Sequence, residues 1–212
     1  MKRFTTVSLF LLLPVLMFAG LEFGVKAGYN ANKLSANIDS ISSQFRSGMQ
    51  VGVFFRAGNR FYVQPELYYS YQGAKYQFND PKGTGPWEQL VNMGSIDIPV
   101  LLGVKLMKGD FFNIRVNLGP AVSFLTNKTV KNLNDTTAGP LTGSSISSVN
   151  WYIQAGLGAD IWLFTFDIRY QGGLNDVIKA VESGGQTWNF NSKNNVFQVS
   201  LGFKIFTPKS GS

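Results

Sequence analysis

The sequence contains no histidine and no cysteine. Those two absences remove Ser-His and Cys-His nucleophilic pairs, imidazole and thiolate metal sites, and any disulfide framework. Charge is scarce too: Asp, Glu, Lys and Arg make up 15% of the 212 residues, against about a quarter in an average soluble domain. Long apolar runs are missing beyond the N-terminus. The longest later stretch, Ile98-Pro99-Val100-Leu101-Leu102-Gly103-Val104, falls far short of the roughly 20 residues a spanning helix needs. What the chain has in quantity is apolar and aromatic material. Its hydrophobic content is 44%, its aromatic content 14% with 18 Phe, and it carries 23 Gly and a net charge of +7. That much apolar surface excludes a disordered chain.

Met1-Lys2-Arg3 is a short basic start, and a largely apolar run follows from Val7 to Leu16, closed by Met17-Phe18-Ala19-Gly20. This is the layout of a cleavable secretory signal. Residues 1–20 therefore read as a signal peptide, 21–206 as the folded domain and 207–212 as a short tail. With no cysteine near residue 20, a lipid-anchored lipoprotein is excluded.

After the signal, apolar and polar residues alternate with a period of two, the mark of strands. Eight segments do so, at about 21–30, 47–58, 60–72, 94–107, 111–126, 149–162, 163–173 and 194–206. Each is long enough to cross a bilayer as a tilted strand. The connections alternate in length. Tight joints fall at Gly58-Asn59-Arg60, at Lys108-Gly109-Asp110 and near Leu163, while the others run to about 16 to 22 residues rich in Ser, Asn, Gly, Pro and Thr. Short turns at one end and long loops at the other characterise an outer-membrane meander. The expected fold is all-β: an eight-stranded antiparallel up-and-down transmembrane barrel with a small closed lumen, short periplasmic turns and long external loops.

The two strand faces differ as that fold requires. Phe164, Phe166, Ile168 and Tyr170 alternate with Thr165, Asp167, Arg169 and Gln171; Phe197, Val199, Leu201, Phe203 and Ile205 alternate with Gln198, Ser200, Gly202 and Lys204. The polar faces are rich in Gly and carry one or two ions per strand, which suits the cramped interior of a small barrel. Collected, these ions are Glu22, Lys26, Arg56, Glu66, Asp97, Lys105, Arg115, Asp160, Asp167, Arg169 and Lys204. Their signs nearly balance, as a closed interior demands, because an unpaired buried charge costs several kcal/mol. The expectation is a structural charge network inside the barrel. Tyr68, Tyr69, Tyr71, Trp151 and Tyr152 at the loop ends, with Phe61, Phe111, Phe112, Trp162, Phe164 and Phe206 at the turn ends, read as two interfacial belts.

Several segments match a known family in order and spacing. They are Gly24-Val25-Lys26-Ala27-Gly28-Tyr29-Asn30, Val63-Gln64-Pro65-Glu66-Leu67-Tyr68-Tyr69-Ser70, Ile96-Asp97-Ile98-Pro99-Val100-Leu101-Leu102 and Leu118-Gly119-Pro120-Ala121-Val122-Ser123. Asp167-Ile168-Arg169-Tyr170-Gln171-Gly172-Gly173-Leu174-Asn175-Asp176 and Val196-Phe197-Gln198-Val199-Ser200-Leu201-Gly202-Phe203 complete the set. On these residues the chain resembles the PorT-like outer membrane β-barrel family of Bacteroidota. The resemblance implies a bacterial outer-membrane location. The family's namesake takes part in machinery that secretes proteins carrying a C-terminal sorting domain. One departure is the tail Thr207-Pro208-Lys209-Ser210-Gly211-Ser212, since such barrels usually end on a closing aromatic, here Phe206.

Catalytic and cofactor motifs are weak. Ser200 and Lys204 stand roughly 13 Å apart along a strand, too far for a dyad. Gly156-Leu157-Gly158-Ala159-Asp160 lacks the third glycine and the helix of a dinucleotide loop. Scattered basic residues give no nucleic-acid footprint. The expected function is therefore non-enzymatic: anchoring, binding, or assisting an envelope or secretion complex, with membrane lipid and envelope proteins as partners and no cofactor. The other readings are a small channel, disfavoured by the inward Phe54, Tyr62, Tyr68, Leu101 and Tyr152, and a subunit of the secretion machinery itself.

Overall fold

The computed structural model describes residues 20–36, 41–44, 46–78, 87–109, 111–132, 147–176, 181–183, 186–188 and 192–207. The first nineteen residues and 208–212, which hold most of the signal and tail assignments, lie outside them. Eight long strands run β1 (Leu21–Ala36), β2 (Arg46–Gly58), β3 (Phe61–Phe78), β4 (Trp87–Lys108), β5 (Phe112–Asn132), β6 (Val149–Ile161), β7 (Phe164–Gly173) and β8 (Ser192–Phe206). Each pairs antiparallel with its successor, and β8 returns to β1 in register from Phe23↔Phe206 to Ala36↔Ser192. The sheet is a closed barrel. Closure matters because an open edge would leave backbone groups unpaired in lipid. No helix occurs among the described residues.

The strands reach further than hydrophobic alternation indicates. β3 and β4 stay paired up to Phe78↔Trp87, and β5 follows β4 up to Gln89↔Asn132. A short strand, Ile41–Gln44, adds to the end of β3, and a small hairpin, Val181–Ser183 with Gln186–Trp188, stands in the β7–β8 connection. In contrast β6 and β7 pair only as far as Tyr152↔Gly173. Among the described residues the loop-side ladder therefore extends further over β3–β5 than at β6–β7. The physical reason is simple. Beyond the hydrocarbon there is no lipid to enforce an apolar face, so the alternation fades while the backbone ladder continues.

Outward residues form an uncharged girdle. On β5 they are Phe112, Ile114, Val116, Leu118, Pro120, Val122 and Phe124; on β8 Phe197, Val199, Leu201, Phe203 and Ile205. At about 3.4 Å per residue the β5 set spans roughly 40 Å along the strand, or about 30 Å once tilted by some 40°. That matches the hydrocarbon core of a bilayer. Aromatics at the rims include Tyr69, Tyr71 and Trp151 on the loop side and Phe61, Phe111, Trp162 and Phe206 on the turn side, all exposed. Tyr68 and Tyr152 depart from the belt assignment. Both point into the barrel and are buried, because each sits one residue out of phase with its exposed neighbour.

The turns are tight and tied to their neighbours. Trp162 and Leu163 alone join β6 to β7; the Trp162 N–H donates to the Phe111 carbonyl at 2.8 Å, and the Leu163 carbonyl accepts from the Lys204 N–H at 2.7 Å. Trp162 adopts φ +52°, a left-handed conformation normally left to Gly or Asn.

Candidate functional site

The pleat aims every second side chain into the lumen, so the candidate site is the barrel interior itself. Its large side chains fit because glycines face them across the ladder. Gly103 is the register partner of Tyr62, Gly158 of Arg115, Gly156 of Arg169 and Gly202 of Lys26. A Cβ on any of the four would come within 3 Å of the facing side chain. Each long interior side chain thus crosses over a position with none, which is how eight strands enclose three arginines and several aromatic rings.

In the turn-side half, ten charged groups join into one connected set. Glu22 is approached by Arg56 at 2.5 Å, Lys105 at 3.0 Å and Lys204 at 4.0 Å. Arg56 also meets Asp160 at 2.9 Å, which Arg115 reaches through Nε at 3.3 Å and Lys204 at 3.9 Å. Arg115 continues to Asp167 at 2.7 Å, and Asp167 to Lys26 at 2.6 Å and Arg169 at 3.5 Å. Lys26 closes on Glu66 at 2.7 Å, and Arg169 grips both oxygens of the same carboxylate. Such forked guanidinium–carboxylate contacts are strong and geometrically selective.

Asp97 stands apart. Among the described residues no Lys or Arg lies within ion-pair distance of it; Ser70 donates to its Oδ2 at 2.5 Å. It belongs to the other half of the lumen because it sits higher on its strand, opposite Tyr68 on β3 and Ser123 on β5. The connected set therefore has four carboxylates against six cations. The excess of positive charge falls near Lys105 and Lys204, whose shared partner Glu22 is the most exposed member of the set.

Neutral side chains that an inventory of ions passes over complete the lumen. Gln64 accepts from Arg56 Nε at 2.6 Å and donates to Glu66 at 2.5 Å, and Arg115 donates to Thr165 Oγ1 at 2.5 Å. Above the ions runs an arc of amides. Asn30 and Gln198 donate to Gln50 at 3.3 and 3.4 Å, and Gln198 and Gln154 donate to Gln171 at 3.2 and 2.6 Å. The parity of these residues, shared with the ions on their strands, is the sequence signal that locates them. Phe54, Tyr62, Tyr68, Leu101 and Tyr152 fill the remaining space, all buried. Lys26 and Arg56 lie 4.8 and 5.5 Å from the centre of the Phe54 ring, at cation–π range.

At the loop-side end of β6 Asn175 acts as a clamp. Its Oδ1 accepts from the Trp151 N–H at 2.6 Å, and its Nδ2 donates to the Val149 carbonyl and to Asn150 Oδ1, both at 3.3 Å. A small recess lies nearby, lined by Gln72, Met93, Ser95, Ser123, Leu125, Asn150 and Tyr152. Among the described residues no group of three acidic side chains is placed to hold a metal ion.

The fold is shared with solved outer-membrane barrels. OprG from Pseudomonas aeruginosa aligns with 16% identity and a TM-score of 0.52 over 88% of this chain and 96% of its own. Ail, the attachment invasion locus protein of Yersinia pestis solved with the heparin analogue sucrose octasulfate, aligns with 11% identity and a TM-score of 0.45, over 88% and 99%. Neisserial surface protein A aligns with 10% identity and a TM-score of 0.46, over 86% and 97%. No curated protein matches the sequence. The model of the outer membrane protein beta-barrel domain matches residues 14–179, which takes in seven of the eight strands. With the closed barrel and its uncharged girdle, that match makes the chain a member of the outer membrane protein beta-barrel domain family, resident in the bacterial outer membrane.

Proposed function

We propose that this protein is a non-enzymatic, non-conducting barrel that anchors a binding surface at the outer membrane, as a PorT-like component of an envelope or secretion complex. The observation that carries the reading is the filled lumen. Ten linked ions and five large side chains occupy the space a pore needs, so the parts left to meet a partner are the loop-side rim and the periplasmic turns. Among the described residues the β3–β5 ladder runs further past the girdle than the β6–β7 ladder, and that extended wall supports the loop-side rim as the seat of a partner. Residues 1–20 serve as the cleaved export signal in this reading, and mass spectrometry of the membrane-extracted protein checks that directly.

Two measurements test the proposal. Purified folded protein in planar bilayers is expected to pass no current; steady ohmic openings overturn the closed-barrel reading. In-cell cross-linking with a tag inserted in the 136–145 loop is expected to recover envelope or secretion proteins, and recovery of secretion-machine subunits supports the namesake's role. Robust turnover in a lipase and protease panel sinks the non-enzymatic reading.

A further inference from the structure

We infer that the turn-side mouth of the lumen is a binding site for one phosphate-class dianion, held on Lys105, Lys204 and Arg56. The ten linked ions carry two more positive than negative charges, and the excess is not evenly spread. The fully buried Glu66 and Asp167 are matched by Lys26 and Arg169. Glu22 and Asp160 face four cations: Arg56, Lys105, Lys204 and Arg115, the last bridging to Asp167. Three of those four converge on the single carboxylate of Glu22. Buried cations in excess of their counter-charges are costly unless an anion neutralises them.

A second observation is a surplus of hydrogen-bond donors at the same place. Lys204 is 4% exposed, and its ammonium stands 4.0 Å from Glu22 and 3.9 Å from Asp160, beyond hydrogen-bond length from either. Among the described residues Lys105 reaches Glu22 alone. Arg56 is wholly buried, and its Nη2 has no acceptor. An ammonium carries three donors and a guanidinium five, so one shared carboxylate cannot satisfy the group. A tetrahedral oxyanion brings four oxygens and, as a dianion, the two missing negative charges, and Arg and Lys both recognise it. The mouth admits such an ion from the periplasmic side, where Glu22 keeps 12% of its side chain exposed. The turn-side rim adds Arg60 and Lys108, both exposed, and no further acid among the described residues. That positive rim draws anions towards the opening.

The test uses the full chain folded in detergent at neutral pH, following thermal unfolding by heat-modifiable gel migration. Inorganic phosphate replaces chloride at constant ionic strength. Phosphate is expected to stabilise saturably, raising the folded-to-unfolded ratio about tenfold at ten times its dissociation constant. Each variant is compared with its own phosphate-free state. Lys105→Gln and Lys204→Gln are each expected to move the titration to about tenfold higher phosphate, the loss of one hydrogen bond to a charged group. Lys108→Gln, on the exposed rim, is expected to leave the midpoint within about twofold, since exposed charges are screened. Glycerol 3-phosphate separates the sources: an equal response extends the site to phosphate esters, and response to inorganic phosphate alone assigns it to the free ion. Broadening of the phosphorus-31 resonance of phosphate by wild-type barrel provides a readout that needs no variant. An unmoved titration in both Lys105→Gln and Lys204→Gln, a rise that never saturates, or an unbroadened phosphorus line each overturns the inference.

Discussion

The two halves of the lumen solve one problem, polar groups sealed from water, by opposite means. The turn-side half uses charge: four carboxylates and six cations are linked across all eight strands, and every ion but Lys105 has at least two partners of opposite sign among the described residues. The loop-side half uses neutral groups: the amides of Asn30, Gln50, Gln154, Gln171 and Gln198, the hydroxyls of Ser70, Ser95 and Ser123, and the single carboxylate Asp97. A charged network tolerates no missing member, because each deletion strands a buried charge, whereas an amide arc loses one hydrogen bond at a time. The difference teaches where rigidity resides. The half nearest the periplasm is the locked half, and the half nearest the loops is built to give.

The largest effect that separates the halves is expected from Asp167→Asn. Asp167 meets Lys26, Arg115 and Arg169, so its neutralisation leaves three buried cations to the remaining acids. The cost expected for breaking such a buried arrangement is about 3–5 kcal/mol, enough to abolish heat-modifiable migration under mild denaturant. Asp97→Asn, equally conservative in shape, strands no cation among the described residues and is expected to stay well below that. If the two variants unfold alike, the division of the lumen fails.

Next in size is Gly103→Ala. The new methyl group would enter the space of the Tyr62 ring, which is rigid and fixed beneath Arg56, 5.2 Å from its guanidinium carbon. Overpacking of this kind costs about 1–3 kcal/mol. A double variant, Gly103→Ala with Tyr62→Leu, is expected to recover part of the loss in the same unfolding assay. Recovery shows that the glycine is there to admit the ring; no recovery assigns the effect to the strand backbone.

How much of this was legible beforehand depends on what lipid demands. The girdle demands alternation, so the eight strands, their order and the sorting of turns from loops could be read directly. Beyond the girdle the demand lapses, and the paired segments Gly73–Phe78 and Trp87–Met93 read as loop. Face assignment also follows from parity, and Lys26, Arg56, Glu66, Lys105, Arg115, Asp160, Asp167, Arg169 and Lys204 do point inward together. Height along the strand does not follow from parity. That is why Asp97 could not be separated from the other ions: its face is theirs, but its level is that of the serines. Tyr68 and Tyr152 illustrate the same limit from the other side. An aromatic near a strand end suits a belt by position and a lumen by phase, and phase decides.

A smaller effect is expected from Gln171→Ala in the amide arc. Gln171 accepts from both Gln154 and Gln198, so truncation leaves two donors to find water or each other. The expected loss is about 1–2 kcal/mol, with folding retained. Hydrogen exchange on the folded barrel sharpens the point. Amides of the loop-side strand ends are expected to exchange faster in this variant, with those beside Arg115 and Asp167 unchanged. Spread of the effect to the turn side would mean the two halves are one cooperative unit.

The smallest effect is expected at Trp162, where its sign depends on the solvent. The left-handed φ of +52° costs a non-glycine residue about 1 kcal/mol or more, and glycine at the same position carries no such strain. The indole is exposed at the turn-side rim, where an interfacial aromatic gains from lipid but not from a detergent micelle. Trp162→Gly is therefore expected to be as stable as wild type, or slightly more so, in detergent, and slightly less stable in phospholipid vesicles. Paired unfolding curves in the two media read the crossover. If the variant is weaker in both, the tryptophan contributes to the locked half directly, through the turn that ties Phe111 and Lys204 to β6 and β7, and the rigidity of that half extends past its ions into its turns.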